Sequence, residues 1–345
     1  MARAAFEIGT QTIAPGTRAS VALPVSAMPD HTPVNLSVEV VHARRDGPTM
    51  FVSAAVHGDE VIGVEIVRRL LRASQLKSLR GTLLVVPIVN SFGFLARSRY
   101  LPDRRDLNRC FPGSAVGSLG SRLAHIFLNE VVLRCNFGID LHSAAVHRTN
   151  LPQIRVTPRD ATTAQMAHAF GAPVILNAAL REGSLRSEAA ERGTPVLLYE
   201  AGEALRFDEF AVRAGVAGIL RVMRNEGMLP AKGIARARTP SLICPSSQWL
   251  RAPCGGLLRT FRAEGDVVND GDVLAAVADP SGDAESELVA PRNGIVIGRA
   301  VLPVVNEGDP VFHLAELGPK ADEDTVDAMT AQLEADPLFD EDEII

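Results

Sequence analysis

Cysteine is scarce in this chain: four in 345 residues (Cys110, Cys135, Cys244 and Cys254), with no CxxC spacing among them. That excludes a zinc ribbon and a disulfide framework and makes a reducing cytoplasm the expected home. Long apolar runs are missing too. The longest candidate, residues 82–96, is broken by Pro87, Asn90, Ser91 and Gly93, well short of the roughly 18 uninterrupted apolar residues that a membrane span needs. The first residues, MARAAFEIGTQTIAPG, lack the apolar core of a secretory leader, so none is expected. Basic residues are scattered and have no aromatic residues interleaved with them, which argues against nucleic acid as a partner. Tyrosine occurs only twice, at Tyr100 and Tyr199.

What is present is the composition of a folded protein. With 46% hydrophobic and 22% charged residues, wholesale disorder is excluded. The length exceeds the roughly 250 residues that one core usually serves, so one large and one small domain are expected. The formal charge of −6 conceals an asymmetry. Residues 321–345 carry ten acids and no base, which leaves 35 bases against 31 acids in residues 1–320. A slightly basic body is thus followed by an acidic segment, and residues 319–345 are expected to form a solvated tail.

Residues 1–45 read as short strands and turns, with alternating stretches at 20–25 and 34–41 punctuated by Pro15, Gly16, Pro24 and Pro29. Strand and helix then alternate. Residues 49–56 form a nearly continuous apolar run, as in a strand covered on both faces. A helix over 61–73 follows, with Val64, Val67 and Leu71 expected inward and Arg68, Arg69 and Arg72 outward. Further strands are expected at 82–89, 138–142 and 195–199, and helices near 119–134, 160–170 and 208–224. This alternation predicts an α/β fold over residues 1–240, with an open, mixed but mostly parallel sheet flanked by helices.

From residue 249 the helical period vanishes. Ala252-Pro253 and Gly256 are echoed by Ala290-Pro291 and Gly294, and Glu264-Gly265-Asp266 by Glu307-Gly308-Asp309. Such a duplication, with turn residues at each repeat, predicts a small two-halved all-β module over 241–318. It resembles the lipoyl/biotinyl carrier fold, in which a lysine on the turn between the halves bears the cofactor. Here no lysine lies between Lys232 and Lys320. A swinging-arm carrier is excluded, and a structural or lid role remains.

Ligands bind at the carboxyl ends of strands in open α/β sheets, and three such ends carry chemistry. His57 and Glu60 stand in HisGlyAspGlu, on the turn after the strand at 49–56, and an imidazole with a carboxylate is a zinc-compatible pair. The same spacing at His313 and Glu316 ends the all-β module on what reads as a surface strand, where a satisfied or solvated histidine is expected. His142 closes the strand at 138–142 and offers a third donor, as a catalytic zinc requires. Its alternative is a core histidine bonded to Asp140 or to backbone, and His147 is a spare candidate. Glu200 ends the strand at 195–199, where a carboxylate suits a general base; Glu203 competes for that role, and a solvated or helix-capping carboxylate is the plainer reading. The segment 103–113 concentrates arginines beside Asn108, which suits carboxylate recognition, although taken alone a solvated arginine-rich turn is the favoured reading.

Taken in order, HisGlyAspGlu (57–60), ArgTyr (99–100) with AspLeuAsnArg (106–109), AspLeuHisSer (140–143) and LeuTyrGluAlaGly (198–202) resemble the zinc carboxypeptidase superfamily. The closer resemblance is to its succinylglutamate desuccinylase/aspartoacylase branch. It covers about residues 1–317 and includes the β module. The resemblance implies a zinc-carboxypeptidase-like fold and one zinc ion per chain held by His57, Glu60 and His142, with Glu200 as general base and acid. It further implies that Arg99 polarises the amide carbonyl, that Asn108 and Arg109 bind the substrate's carboxylate, and that Arg186 is a further carboxylate-binding arginine. The linker from Arg99 to Asn108 is longer than in aspartoacylases, so Arg97, Arg104 or Arg105 could replace Arg99. Aspartoacylases also use a tyrosine of their C-terminal domain, and no tyrosine follows Tyr199 here, so an aspartate-type specificity is not expected.

The implied activity is zinc-dependent hydrolysis of the amide bond of a small anionic N-acyl amino acid. Two alternatives stand beside it. One is a zinc carboxypeptidase that releases a C-terminal residue from a peptide. The other is a non-catalytic metal-binding scaffold, whose mark would be a lost zinc ligand or a lost Glu200, and neither is lost. Nucleic acid and membrane are not expected as partners, whereas the acyl group, the amino acid and a homo-oligomeric state stay open.

Overall fold

A computed structural model describes residues 3–317 apart from positions 159 and 238; the acidic segment 319–345 lies outside the described residues. In chain order the large domain contains the hairpin β1 (Phe6–Ile8) and β2 (Gln11–Ile13), then β3 (Thr17–Ala27), β4 (Pro33–His42), β5 (Arg45–Ala54), α1 (Ile62–Arg72), β6 (Arg80–Val86) and α2 (Ser91–Ala96). It continues with α3 (Leu119–Glu130), β7 (Phe137–Ala144), β8 (Arg148–Asn150), β9 (Gln153–Val156), α4 (Ala161–Phe170), β10 (Val174–Asn177), α5 (Leu185–Glu191), β11 (Val196–Glu203), α6 (Glu209–Asn225) and β12 (Leu242–Cys244). Nine of these strands form one sheet in the order β12-β10-β9-β11-β7-β5-β6-β4-β3. Five of its pairings are parallel and three antiparallel, the mixed, mostly parallel sheet that the alternation predicts.

β5 reads as a continuous apolar run because both of its faces are covered. Met50, Val52 and Ala54 belong to the core shared with α1 and α6, while Phe51 belongs to the opposite core with Phe127 of α3. The helices start where polar side chains satisfy free N–H groups: Ser118, Asp160, Ser184 and Asp208 each accept from a first-turn amide of α3, α4, α5 and α6. The inner face of α1 includes the expected residues, with Val67 buried and Val64 and Leu71 packed against the same core, and is centred on others. Ile62, Ile66, Val67 and Leu70 are buried, whereas Val64 and Leu71 are half-buried and Arg69 is drawn between Glu65 and Glu209. Gly215 of α6 leaves the space that Ile66 fills, since a Cβ there would stand 2.5 Å from Ile66 Cδ1.

The C-terminal module is all-β, with β13 (Ser247–Arg251), β14 (Gly256–Thr260), β15 (Val267–Val268), β16 (Val273–Ala278), β17 (Glu285–Val289), β18 (Gly294–Ala300), β19 (Val304–Val305) and β20 (Pro310–Glu316). Two sheets, β13-β20-β18-β15 and β17-β16-β14-β19, enclose a core that includes Val268, Leu274, Val277, Val296 and Phe312. The sequence echoes fall at equivalent places: Gly256 and Gly294 open β14 and β18, and the two Glu-Gly-Asp turns lead into β15 and β20. Module and large domain exchange strands at their seam. β12 joins the large sheet beside β10, and β8 leaves the large domain to pair with β18. A shared apolar layer of Leu151, Val174, Leu176, Leu242, Cys244, Ile295, Ile297 and Ala315 fills the space between them. Among the described residues no helix is long and apolar enough to cross a membrane, and all four cysteines are free.

Candidate active site

The turn after β5 is pressed against the backbone of α2. A Cβ on Gly58 would lie 2.0 Å from the Gly93 carbonyl carbon, so only glycine allows this close approach. The turn thereby carries His57 and Glu60 inward, and β7, paired in parallel with β5, brings His142 beside them. All three residues are buried, and their donor atoms lie within 4.8 Å of one another. Glu60 Oε1 is 2.7 Å from His57 Nδ1 and Oε2 is 2.7 Å from His142 Nδ1, with the two Nδ1 atoms 3.2 Å apart.

The far nitrogens are fixed as well. His142 Nε2 meets Asp140 Oδ2 at 2.7 Å, and Asp140 Oδ1 accepts from Ser53 Oγ. His57 Nε2 meets Asp106 Oδ1 at 3.1 Å. A carboxylate behind each imidazole selects its tautomer and aims its other nitrogen, as in metal sites generally. The bond to Asp140 uses Nε2 and so leaves Nδ1 of His142 facing the donor cluster. Two nitrogens and one carboxylate, converging and individually oriented, are a donor set that fits a divalent metal such as zinc. Burial would raise the Glu60 carboxyl, but the two imidazoles outweigh it and hold the group well below the usual carboxylate range. Burial likewise pulls both imidazoles down, yet Glu60 with Asp106 raises His57, and Asp140 with Glu60 raises His142.

Glu200 lies on β11 directly opposite His142 of β7. Parallel neighbours about 4.8 Å apart present such a pair on one face of the sheet. The Glu200 side chain is 14% exposed; its Oε2 accepts from Asn150 Nδ2 at 2.9 Å, and its Oε1 is 3.4 Å from Arg155 Nη2. Glu203 falls beyond a register shift and is used elsewhere, accepting from the His147 amide and pairing with Arg206. His147 itself is exposed and outside the donor cluster.

Of the four candidate arginines in the 97–105 segment, Arg99 alone is held at the donor cluster. Its Nη1 is 3.2 Å from Glu60 Oε1 and its Nη2 is 3.1 Å from Asp106 Oδ2. Arg97, Arg104 and Arg105 are exposed. Asn108 is buried, and its Oδ1 accepts from the Leu185 amide at the start of α5, which places Arg186 on the same side of the site. Arg186 donates to the Ala178 and Ala179 carbonyls and keeps a buried Nη1 without a partner; burial, with Arg155 nearby, pulls its pKa down to about 10. Arg109 is exposed and donates to the Asn108 carbonyl.

His313 is a hydrogen-bonded histidine, as expected, but its strand is not where the sequence places it. β20 is not a surface strand, because the seam with the large domain covers it. His313 is 6% exposed, its Nε2 meets Ser247 Oγ at 2.8 Å, its ring stacks on Trp249 with centroids 4.6 Å apart, and its Nδ1 has no partner. Burial, with the charge of Arg155, pulls its pKa down to about 3. Sequence reasoning also gave no role to Asp106, Asn150 and Arg155. The only available signal was polar Gln153 and Arg155 alternating with apolar Ile154 and Val156, the mark of a strand with one polar face.

The sequence profile of the succinylglutamate desuccinylase/aspartoacylase catalytic domain matches residues 46–225. An N-alpha-acetyl-L-2,4-diaminobutyric acid deacetylase of Halomonas elongata is 30% identical over 306 residues, covering 82% of this chain and 86% of its own. Among solved structures, a succinylglutamate desuccinylase/aspartoacylase from Rhodobacter sphaeroides superposes with a TM-score of 0.76 at 27% identity, over 87% of this chain and 96% of that one. The product-bound ectoine utilization protein EutE (DoeB) from Ruegeria pomeroyi superposes with a TM-score of 0.77 at 25% identity, over 87% and 94%.

Proposed function

Because the chain belongs to the succinylglutamate desuccinylase/aspartoacylase family, we propose that it hydrolyses the amide bond of a small N-acyl amino acid, using one zinc ion held by His57, Glu60 and His142. The observation that carries this reading is the register of β7 and β11, which sets a half-buried carboxylate, Glu200, beside a three-donor cluster. Zinc in that cluster would supply Lewis-acid polarisation of the acyl carbonyl and make water a stronger acid.

Glu200 accepts a proton from the attacking water and returns it to the leaving amine nitrogen. Arg99 is the donor assigned to the developing oxyanion, a role commonly worth about 3 kcal/mol. Asn108 spends its carbonyl on Leu185 and keeps its amide N–H groups for the substrate's carboxylate, with Arg109 and Arg186 as the cationic partners. The C-terminal module, lipoyl-like in its duplication but lacking the lysine of a carrier, forms a wall. β8 pairs with β18 one residue from Leu151 and carries the Asn150 that touches Glu200, so the wall stands beside the base. Such a wall suits small substrates and favours a deacylase over a peptide-trimming carboxypeptidase. Free cysteines throughout suit a reducing cytoplasm.

Since the Halomonas relative is named as an acetyl-diaminobutyrate deacetylase, N-acetyl-2,4-diaminobutyrate heads the panel of substrates to test, followed by N-acetylaspartate and N-succinylglutamate. Zinc-loaded protein is expected to release the free amino acid from at least one of them and to leave short peptides intact. Release of C-terminal residues from peptides alone would overturn the deacylase reading in favour of a carboxypeptidase.

A further inference from the structure

We infer that the C-terminal module takes part in turnover by holding the general base: Asn150, seated against Gly298 of the module, is a positioning residue for the Glu200 carboxylate, and Arg155 is a second. The inference rests on the reading of Glu200 as the base. A base must keep its oxygen within hydrogen-bond reach of the proton it takes, and misplacement by 1 Å commonly costs about 100-fold in rate. The two contacts that could fix Glu200 both come from outside its own strand.

Asn150 is buried and donates to Glu200 Oε2 at 2.9 Å. Its strand, β8, takes its ladder from the module: Asn150 stands opposite Gly298, Thr149 opposite Arg299 and Arg148 opposite Ala300. Bonds from Leu151 N to Ile297 O (3.1 Å) and from Val301 N to His147 O (3.0 Å) flank that ladder. Gly298 makes the space the amide occupies, since a Cβ there would lie 2.5 Å from Asn150 Oδ1. Arg155 extends from β9, where it stands opposite Leu198 and therefore on the same face as Glu200, and its Nη2 reaches Glu200 Oε1 at 3.4 Å. Behind Arg155 lies His313 of β20, whose burial pulls its pKa down to about 3, while Arg186 is a further cation near both Arg155 and Glu200. The module thus supplies a gap of defined shape at Gly298 in addition to a wall.

The test uses full-length, zinc-loaded protein and N-acetyl-2,4-diaminobutyrate, or whichever panel substrate the unaltered protein cleaves. Asn150→Ala is expected to lower kcat about 10- to 100-fold, with KM changed by less than about threefold and zinc content unchanged. Emission from Trp249, the one tryptophan of the chain and stacked on His313, is expected to stay constant and so report a docked module. Gly298→Ala is expected to lower kcat about tenfold alone and to cost nothing further in the Asn150→Ala background, since the amide it displaces is gone. Arg155→Lys is expected to retain more kcat than Arg155→Met. If Glu200→Gln abolishes turnover while Asn150→Ala and Gly298→Ala keep the parental kcat, positioning is overturned and the base assignment stands. If Gly298→Ala costs the same factor in both backgrounds, its effect is not on Asn150 and the coupling is overturned. If the unaltered protein cleaves no N-acyl amino acid, the deacylase reading falls and this inference falls with it.

Discussion

The two ends of the crevice are built by different means. At the donor-cluster end every part belongs to the large domain: His57 and Glu60 share one turn, and β7 brings His142, with Asp140 two residues before it, from 82 residues further along the chain. At the base end Glu200 is held by Asn150 and Arg155, with β18 and β20 of the C-terminal module behind them. The donor cluster is thus a property of the large sheet, set by the pairing of β5 with β7. The orientation of the base, in contrast, depends on how two separately cored regions dock. Metal binding and turnover are therefore expected to be separable by mutation.

The largest effect follows from removing a donor. His142→Ala leaves two ligands, and elemental analysis is expected to find no stoichiometric zinc and no residual turnover. Glu200→Gln keeps the side chain's shape and all three donors. It is expected to bind zinc as the parent does while kcat falls by about 10²- to 10⁴-fold; loss of metal in this variant would break the separation between the two ends. A smaller effect probes the backing of a ligand. Asp140→Asn can no longer enforce the tautomer of His142, and competition against a chelator should show zinc affinity lowered by about 10- to 100-fold, with kcat nearly retained at saturating zinc. Unchanged affinity would show that Asp140 does not orient its neighbour.

The same division decides what could be read from the sequence. His57, Glu60 and His142 were legible because each ends an apolar run, and position at a strand end is what turns a common HxxE spacing into a candidate ligand pair. The large sheet was legible from the same apolar runs. β8, β9 and β10 were not, being three or four residues long and interrupted by Pro152, too short to show a period. The roles of Asn150 and Arg155 consequently went unseen. His313 was misplaced on an exposed strand for a related reason: a strand of the module looks half-solvated by its own alternation, and only the pairing of β8 with β18 and the layer around Ile297 show that the seam covers it. The pattern of α1 placed Val64, Val67 and Leu71 on the core side, where they are, but gave no sign that Ile62, Ile66 and Leu70 are the more deeply buried.

The smallest expected effect tests whether the seam is as dry as its geometry implies. The charged groups facing His313 are Arg155 on β9 and, across the Trp249 ring, Arg148, and neither favours a protonated imidazole. With a folded pKa near 3 against about 6.5 in the unfolded chain, the unfolded state binds a proton that the folded state refuses throughout the interval between those values. This contribution to stability is fully present above about pH 6.5 and is lost as pH falls through the interval, by up to about 1.4 kcal/mol per unit, or about 2 kcal/mol at pH 5. His313→Phe preserves the stack on Trp249 and removes the titration. Other groups titrate alike in both proteins, so the loss of Tm between pH 7 and pH 5 is expected to be several degrees smaller in the variant than in the parent. Equal losses would mean that His313 takes up its proton while the protein is folded. The seam would then admit water beside Arg155, and the module could not hold Glu200 as rigidly as the contacts of Asn150 suggest.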